Sequence, residues 1–321
     1  MERYCALARR INKFGVPDKQ WLSALNMDEV YNTVQLMRAS GDATIRHLYQ
    51  RTATIVDTRD RIFTPTAQWR FFSGTFIEIE TRLFIATVSH SIGNYDSPSR
   101  YVLTTKNGRP HPAGASVILR SVPTDDNHPD VGLLELDREL FQLFDGFEAI
   151  DISRVSVAPP EQRLASLMGT PAETITIHPI QSHEWGISGT LSGFTTAAIA
   201  VDQWPDLNLQ KPLDANFDML VRYPDGSPDI RDDSGMRTTL PEPFGISGGG
   251  LWIHDHGNND FWLPDKCQLV GIQSSWLRDA AYVRLTRIAH WLDLICANYP
   301  DLRDALANID GYSVGESKKP R

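Results

Sequence analysis

A serine framed by glycines is the part of this sequence richest in chemical possibility. The run Pro243-Phe244-Gly245-Ile246-Ser247-Gly248-Gly249-Gly250-Leu251-Trp252 sets Ser247 in a stretch nearly bare of side chains. Glycine admits positive φ and lets another molecule approach the backbone closely. Accessible amides beside a hydroxyl supply what acyl transfer needs, a nucleophile and donors for the oxyanion it creates. Such a serine also needs a base and a group that orients the base. Two upstream segments offer them. Thr87-Val88-Ser89-His90 puts a histidine just past an apolar run, and Pro129-Asp130-Val131-Gly132-Leu133-Leu134 puts an aspartate just before another. Taken singly, the histidine reads as a structural residue and the aspartate as a turn residue. The ordered set of His90, Asp130 and Ser247 is a much rarer combination.

The elements that must position these groups are short strands. Thr54-Ile55-Val56, Trp69 to Phe72, Thr75 to Ile79 and Leu83 to Val88 alternate or run apolar. Tyr101 to Thr104, Ser116 to Leu119 and Val131 to Leu136 continue the series. After a Pro-rich linker at Ala158-Pro159-Pro160-Glu161 the texture repeats, in Thr174 to Ile177, Gly189 to Phe194, Phe217 to Val221, Gly250 to His254 and Gln268 to Ile272. Many short strands at regular intervals predict antiparallel barrels or sandwiches. Arg222 to Pro241 reads as a long surface loop ahead of the serine. Ile288, Trp291, Leu292 and Ile295 have the spacing of a terminal helix, and the polar tail from Gly311 to Arg321 reads as disordered.

Residues 1–51 differ in texture from the strand-rich remainder of the chain. Trp21, Leu22, Leu25, Val30, Val34, Leu36 and Met37 recur at helical spacing, Asp28-Glu29 can open a second helix, and a further helix is expected from Asp42 to Arg51. This region is a packing extension or a seat for a protein partner.

The chain has 321 residues, 41% of them hydrophobic and 22% charged, enough for two packed subdomains. A net charge of −9 argues against a nucleic-acid surface. Three cysteines, Cys5, Cys267 and Cys296, are too few for a disulfide framework. Met1 to Arg10 lacks the apolar core of a secretory signal, and no run reaches the roughly 18 apolar residues that span a membrane. These features predict a cytoplasmic location with no membrane contact.

In order, these segments resemble the trypsin-like (chymotrypsin-fold) serine proteases, with the bacterial intracellular and HtrA-like members nearest. Ser73-Gly74-Thr75-Phe76-Ile77 followed by Leu83 to His90 resembles the family's strand, turn and strand ending in Thr-Ala-Ala-His. Asp130 to Leu136 resembles its Asp-Ile-Ala-Leu-Leu segment, and Gly245 to Leu251 its Gly-Asp-Ser-Gly-Gly-Pro-Leu. Leu269 to Ser274 resembles the strand that pairs with substrate backbone. Tyr282 with Trp291 matches the closing strand and terminal helix. The resemblance covers about Thr52 to Asn298.

It implies a mostly β fold of two six-stranded antiparallel barrels, with a helical amino-terminal extension (1–51) and a carboxy-terminal helix. The first barrel (52–157) would carry His90 and Asp130, the second (158–285) Ser247, with residues 286–321 forming the helix and tail. It implies a protein or peptide substrate, Ser247 as nucleophile, His90 as base, Asp130 as its orienting group, and an oxyanion hole from the Gly245 and Ser247 amides. Ser274 would lie under the aspartate. No metal or organic cofactor is required.

Several positions depart from the family. Ile246 stands where secreted zymogens carry an aspartate that pairs with a new amino terminus, so activation by terminal insertion is not expected. Pro241 occupies the position of the arginine-specific members' aspartate, with Glu242 beside it. Phe244, Ser275 and Trp276 complete the expected substrate pocket, and Trp276 narrows it toward small or apolar residues. Ser188, in the second Gly-Ile-Ser-Gly, reads as structural. His254-Asp255-His256 reads as a hairpin tip without enough ligands for zinc, and His178 and His183 as loop residues. Two functional classes stand: a regulated endopeptidase, conceivable as an effector in bacterial defence, and a catalytically silent protein-binding module on the same fold.

Overall fold

The structure, a computed structural model, describes residues 39, 43–57, 70–92, 101–104, 110–121, 129–181, 184–223, 230–231, 237–238, 241–254 and 263–314, except 143, 145, 159, 161, 162 and 310. The helices expected before residue 39 lie outside the described residues. A helix does cover 43–49, within the span expected from Asp42 to Arg51.

The chain builds two curled, almost wholly antiparallel sheets. The first contains β1 (Thr52–Asp57), β2 (Arg70–Ile79), β3 (Arg82–Thr87), β4 (Tyr101–Thr104), β5 (Pro110–Pro112), β6 (Ala115–Arg120), β7 (Gly132–Leu136) and β8 (Ile150–Asp151). Its order is β5-β4-β1-β2-β3-β7-β6, with β8 lying parallel beside β2. The first sheet therefore has eight strands where six were expected.

The second half contains β9 (Leu164–Gly169), β10 (Thr176–Gln181), β11 (Glu184–Ser188), β12 (Ser192–Ala197), β13 (Asp218–Arg222), β14 (Ile230–Arg231), β15 (Arg237–Thr238), β16 (Gly250–Ile253), β17 (Gln268–Leu277) and β18 (Tyr282–Arg287). Six of these form a sheet of order β12-β9-β16-β17-β18-β13, and an Ala198–Val221 bridge links its two ends. β10–β11 and β14–β15 are separate two-stranded sheets, so the expected surface loop from Arg222 to Pro241 carries a short ladder of its own.

Successive side chains of a strand point to opposite faces, and both faces of the central strands β1, β2, β3, β7, β9, β16 and β17 are largely buried. Phe76, Ile85 and Leu134 fill the inside of the first half-barrel, while their neighbours Ile77, Phe84 and Leu133 enter a second core shared with the other sheet. The second sheet repeats this. Leu167, Leu251 and Val270 face its own interior, and Met168, Trp252 and Leu269 face the shared core. Double-sided burial is why the strands read as nearly continuous apolar runs.

The terminal helix (Ala289–Asn298) seals the shared core with Trp291, Leu292 and Ile295. Trp291 Nε1 donates to Thr87 O at 2.9 Å and to Gly132 O at 2.8 Å. These residues are paired partners at the ends of β3 and β7, where the chain departs toward His90 and arrives from Asp130. The tail departs from expectation at its start: Tyr312 donates its hydroxyl to Asp293 at 2.9 Å, and with Val314 it packs on the shared core. Residues 315–321 lie outside the described residues. No helix among the described residues is long and apolar enough to cross a membrane.

Replacing Trp291 by Phe keeps most of the apolar bulk and removes the shared donor. The expected loss is about 1–3 kcal/mol in urea unfolding, the usual cost of leaving buried acceptors unpaired; no change in the midpoint would contradict the stapling role.

Candidate active site

His90 sits in a single helical turn (Ser89–Ile92) immediately after β3. Asp130 holds it twice, through Oδ1 to the His90 backbone amide at 3.0 Å and through Oδ2 to Nδ1 at 2.5 Å. With Nδ1 facing a carboxylate, Nδ1 carries a proton and Nε2 is left to accept one. The Asp130 turn is itself pinned. Ser121 Oγ donates to Pro129 O at 2.6 Å and accepts from Val131 N at 3.1 Å. Sequence reading passed over Ser121, whose only signal was its place at the end of a strand.

Ser247 comes from the other sheet, in the turn leading into β16. Two peptides on its approach have their carbonyls tied back: Phe244 O accepts from Ala172 N at 2.7 Å, and Ile246 O accepts from Gly249 N at 2.7 Å. In a trans peptide the N–H points opposite to the C=O, so the Gly245 and Ser247 amides face away from these anchors. Neither amide has an acceptor among the described residues. The turn requires glycine at two points. Gly245 has φ +92° and Gly248 φ +93°, and a Cβ on Gly248 would lie 1.8 Å from Ser73 O.

His90, Asp130, Ser247, Ser274, Ser275 and Arg284 line one cleft of about 420 Å³. Ser247 Oγ has no hydrogen-bond partner among the described residues; such contacts often close only when substrate binds. Ser274 lies at a register shift in β17, lines the cleft with Asp130, and donates its hydroxyl to Arg284 O on β18 at 3.2 Å.

The other expected pocket residues lie off this cleft. Tyr223, overlooked in the sequence, is buried there. Its hydroxyl donates to Pro241 O, and its ring packs edge-on against Phe194 at 5.2 Å and lies 6.1 Å from Trp276. Burial, then the Glu173 and Glu242 carboxylates, push that hydroxyl above the ordinary tyrosine range. Glu242 is ion-paired with Arg278, whose guanidinium lies 5.3 Å over the Trp276 ring. Its charge is therefore already engaged, although the exposure of both side chains makes the pair a weak one. Phe244 is 74% exposed, an apolar side chain standing in water next to the Ser247 turn.

One wall of the cleft depends on an ion pair that the sequence reading also missed. Arg284 grips Asp218 with two contacts, Nε–Oδ1 at 2.8 Å and Nη2–Oδ2 at 2.5 Å, and donates to Lys211 O and Pro212 O at 3.0 Å each. Its clue was a charge at the centre of the apolar strand Tyr282–Arg287. Ser188 is exposed at the end of β11 and does not line the cleft.

The expected hairpin tip starts at His254 and falls between β16 and β17, which pair antiparallel. His254 is fully buried, its Nε2 2.9 Å from Ser166 Oγ and its amide bonded to Leu164 O. Asp255 and His256 lie outside the described residues, among which no cluster of His, Cys, Asp and Glu could hold a metal. His178 belongs to β10, not to a loop, while His183 lies outside the described residues.

Arg284→Met is expected to cost about 3–5 kcal/mol in stability, because it strands a buried Asp218 carboxylate. Adding Asp218→Leu should recover most of the loss. A single variant as stable as wild type by denaturant titration would show that the pair does not hold this wall.

No protein-family model matches the chain, and no curated protein matches it. Among solved structures it is similar to the crystal structure of the scabies mite inactivated protease paralogue S-I1 (SMIPP-S-I1), at 13% identity and a TM-score of 0.49, over 80% of this chain and 98% of that one.

Proposed function

We propose that this chain is a serine endopeptidase of the trypsin-like type, with His90, Asp130 and Ser247 as its catalytic residues. One observation carries the reading: an Asp130-held histidine from the first sheet and a serine beside two open amides from the second face the same cleft. That combination supplies base, orienting carboxylate, nucleophile and oxyanion donors together.

In this reading Ser247 Oγ attacks the scissile carbonyl carbon as its proton passes to His90 Nε2. Asp130 stabilises the resulting imidazolium through Nδ1–H. The carbonyl oxygen, now an oxyanion, accepts from the Gly245 and Ser247 amides, each donor of this type being worth about 10²–10³ in rate. His90 returns the proton to the leaving amine, and water, deprotonated by His90, releases the acyl group. The exposed Phe244 is available to contact the substrate, with Ser275 on the cleft wall. Pro241, Glu242 and Trp276 shape its surroundings without a free charge, in keeping with small or apolar side chains at the cleavage site.

Finer placements rest on sequence alone: kinship with bacterial intracellular and HtrA-like members, action in the cytoplasm, a part in bacterial defence, and a gating partner on residues 1–51. The alternative is a protein-binding module on the same fold, which the unengaged Ser247 Oγ favours.

A fluorophosphonate probe separates the two. Labelling of the wild type that disappears in Ser247→Ala and His90→Ala, and falls by about 10⁴ in Asp130→Asn, is the expected result. An unlabelled wild type would favour the binding module.

A further inference from the structure

We propose that Ser73 is the positioning residue that holds the oxyanion turn assembled, through its side-chain hydroxyl. The inference rests on the serine-hydrolase reading of Ser247. Ser73 lies in β2 of the first sheet and is fully buried, yet its contacts reach the second sheet. Its Oγ donates to Gly245 O at 3.2 Å and accepts from Thr170 N at 2.8 Å. Its backbone amide donates to Ser247 O at 2.7 Å, and its carbonyl accepts from Thr87 Oγ1 at 2.8 Å. Every polar group of the residue therefore has a partner, and two of them act on the turn that carries the nucleophile.

The peptide that Ser73 Oγ holds is the middle one of three. Phe244 O and Ile246 O, on either side, are tied by Ala172 and Gly249 and so aim the Gly245 and Ser247 amides outward. The carbonyl between them, Gly245 O, belongs to the peptide whose rotation changes the angle between those two amides. Gly245, at φ +92°, is the residue most free to let that peptide turn. The neighbouring side chain cannot fix it electrostatically, because Ile246 is 2% exposed and packs against Gly169. A buried hydroxyl reached from the opposite sheet holds it instead.

Ser73→Ala removes the hydroxyl and leaves Gly245 O and Thr170 N without it. Two readouts test the role: fluorophosphonate labelling kinetics, and hydrogen exchange of the Ile246 and Gly248 amides, which donate to Pro243 O and Gln273 O. The expected result is a maximal labelling rate reduced by about tenfold or more with the probe's half-saturation unchanged, together with faster exchange at those two amides. A labelling rate within about twofold of wild type with unchanged exchange overturns the proposal while leaving the hydrolase reading intact. If the wild type itself is unlabelled, the hydrolase reading fails. Exchange then decides alone, faster in the variant supporting the lock and equal refuting it. Ser73→Cys, which restores a weak donor, is expected to recover part of the labelling rate, and it stands in for the alanine variant should that not fold.

Discussion

Everything in this molecule hangs on the second face of its strands. Each sheet has an inner face that closes its own half-barrel and an outer face that must also leave water. The outer faces solve this together: Ile77, Phe84 and Leu133 from one sheet meet Met168, Trp252 and Leu269 from the other, and the terminal helix covers what remains. Burial of this kind is nondirectional and strong, so it brings the halves together without specifying where polar groups go. The consequence for chemistry is that two sheets meet along one cleft, each bringing groups the other lacks.

Directional bonds then set the geometry. Trp291 ties β3 to β7 at the point where the chain leads to His90 and returns from Asp130. Ser121 pins the aspartate turn, and Arg284 fastens the far wall to Asp218. Across the seam, Ser73 fastens the turn carrying Ser247. None of these bonds adds much net stability taken singly, because each replaces a bond to water. Each is costly to lose, since its partner would be left buried and unpaired.

The residues expected to form a substrate pocket teach a different lesson. A side chain's type suggests what it could offer a ligand, but its neighbours determine what is left to offer. Glu242 is engaged by Arg278, Trp276 leans toward Tyr223 beneath that guanidinium, and the Ser274 hydroxyl is turned to Arg284 O. His254, read as part of a hairpin tip, is buried at the end of β16, where its amide bonds to Leu164 O at the start of β9. These outcomes depend on contacts between residues distant in sequence, and local pattern carries no record of them.

The sequence by itself determined the strand-rich architecture, since apolar runs of strand length broken by turn residues are legible one segment at a time. It also marked His90, Asp130 and Ser247, because glycines around a serine and polar residues at strand ends are local signals. Only the tertiary structure decided that Asp130 grips both the ring and the amide of His90, that Gly245 and Ser247 present open amides, and that Ser73, Ser121 and Arg284 hold the frame. Two of the first sheet's eight strands were equally illegible, as β5 and β8 are too short to leave a pattern. The reason is physical: periodicity reports which face is buried, whereas hydrogen-bond partners are chosen by where the whole chain puts each donor and acceptor.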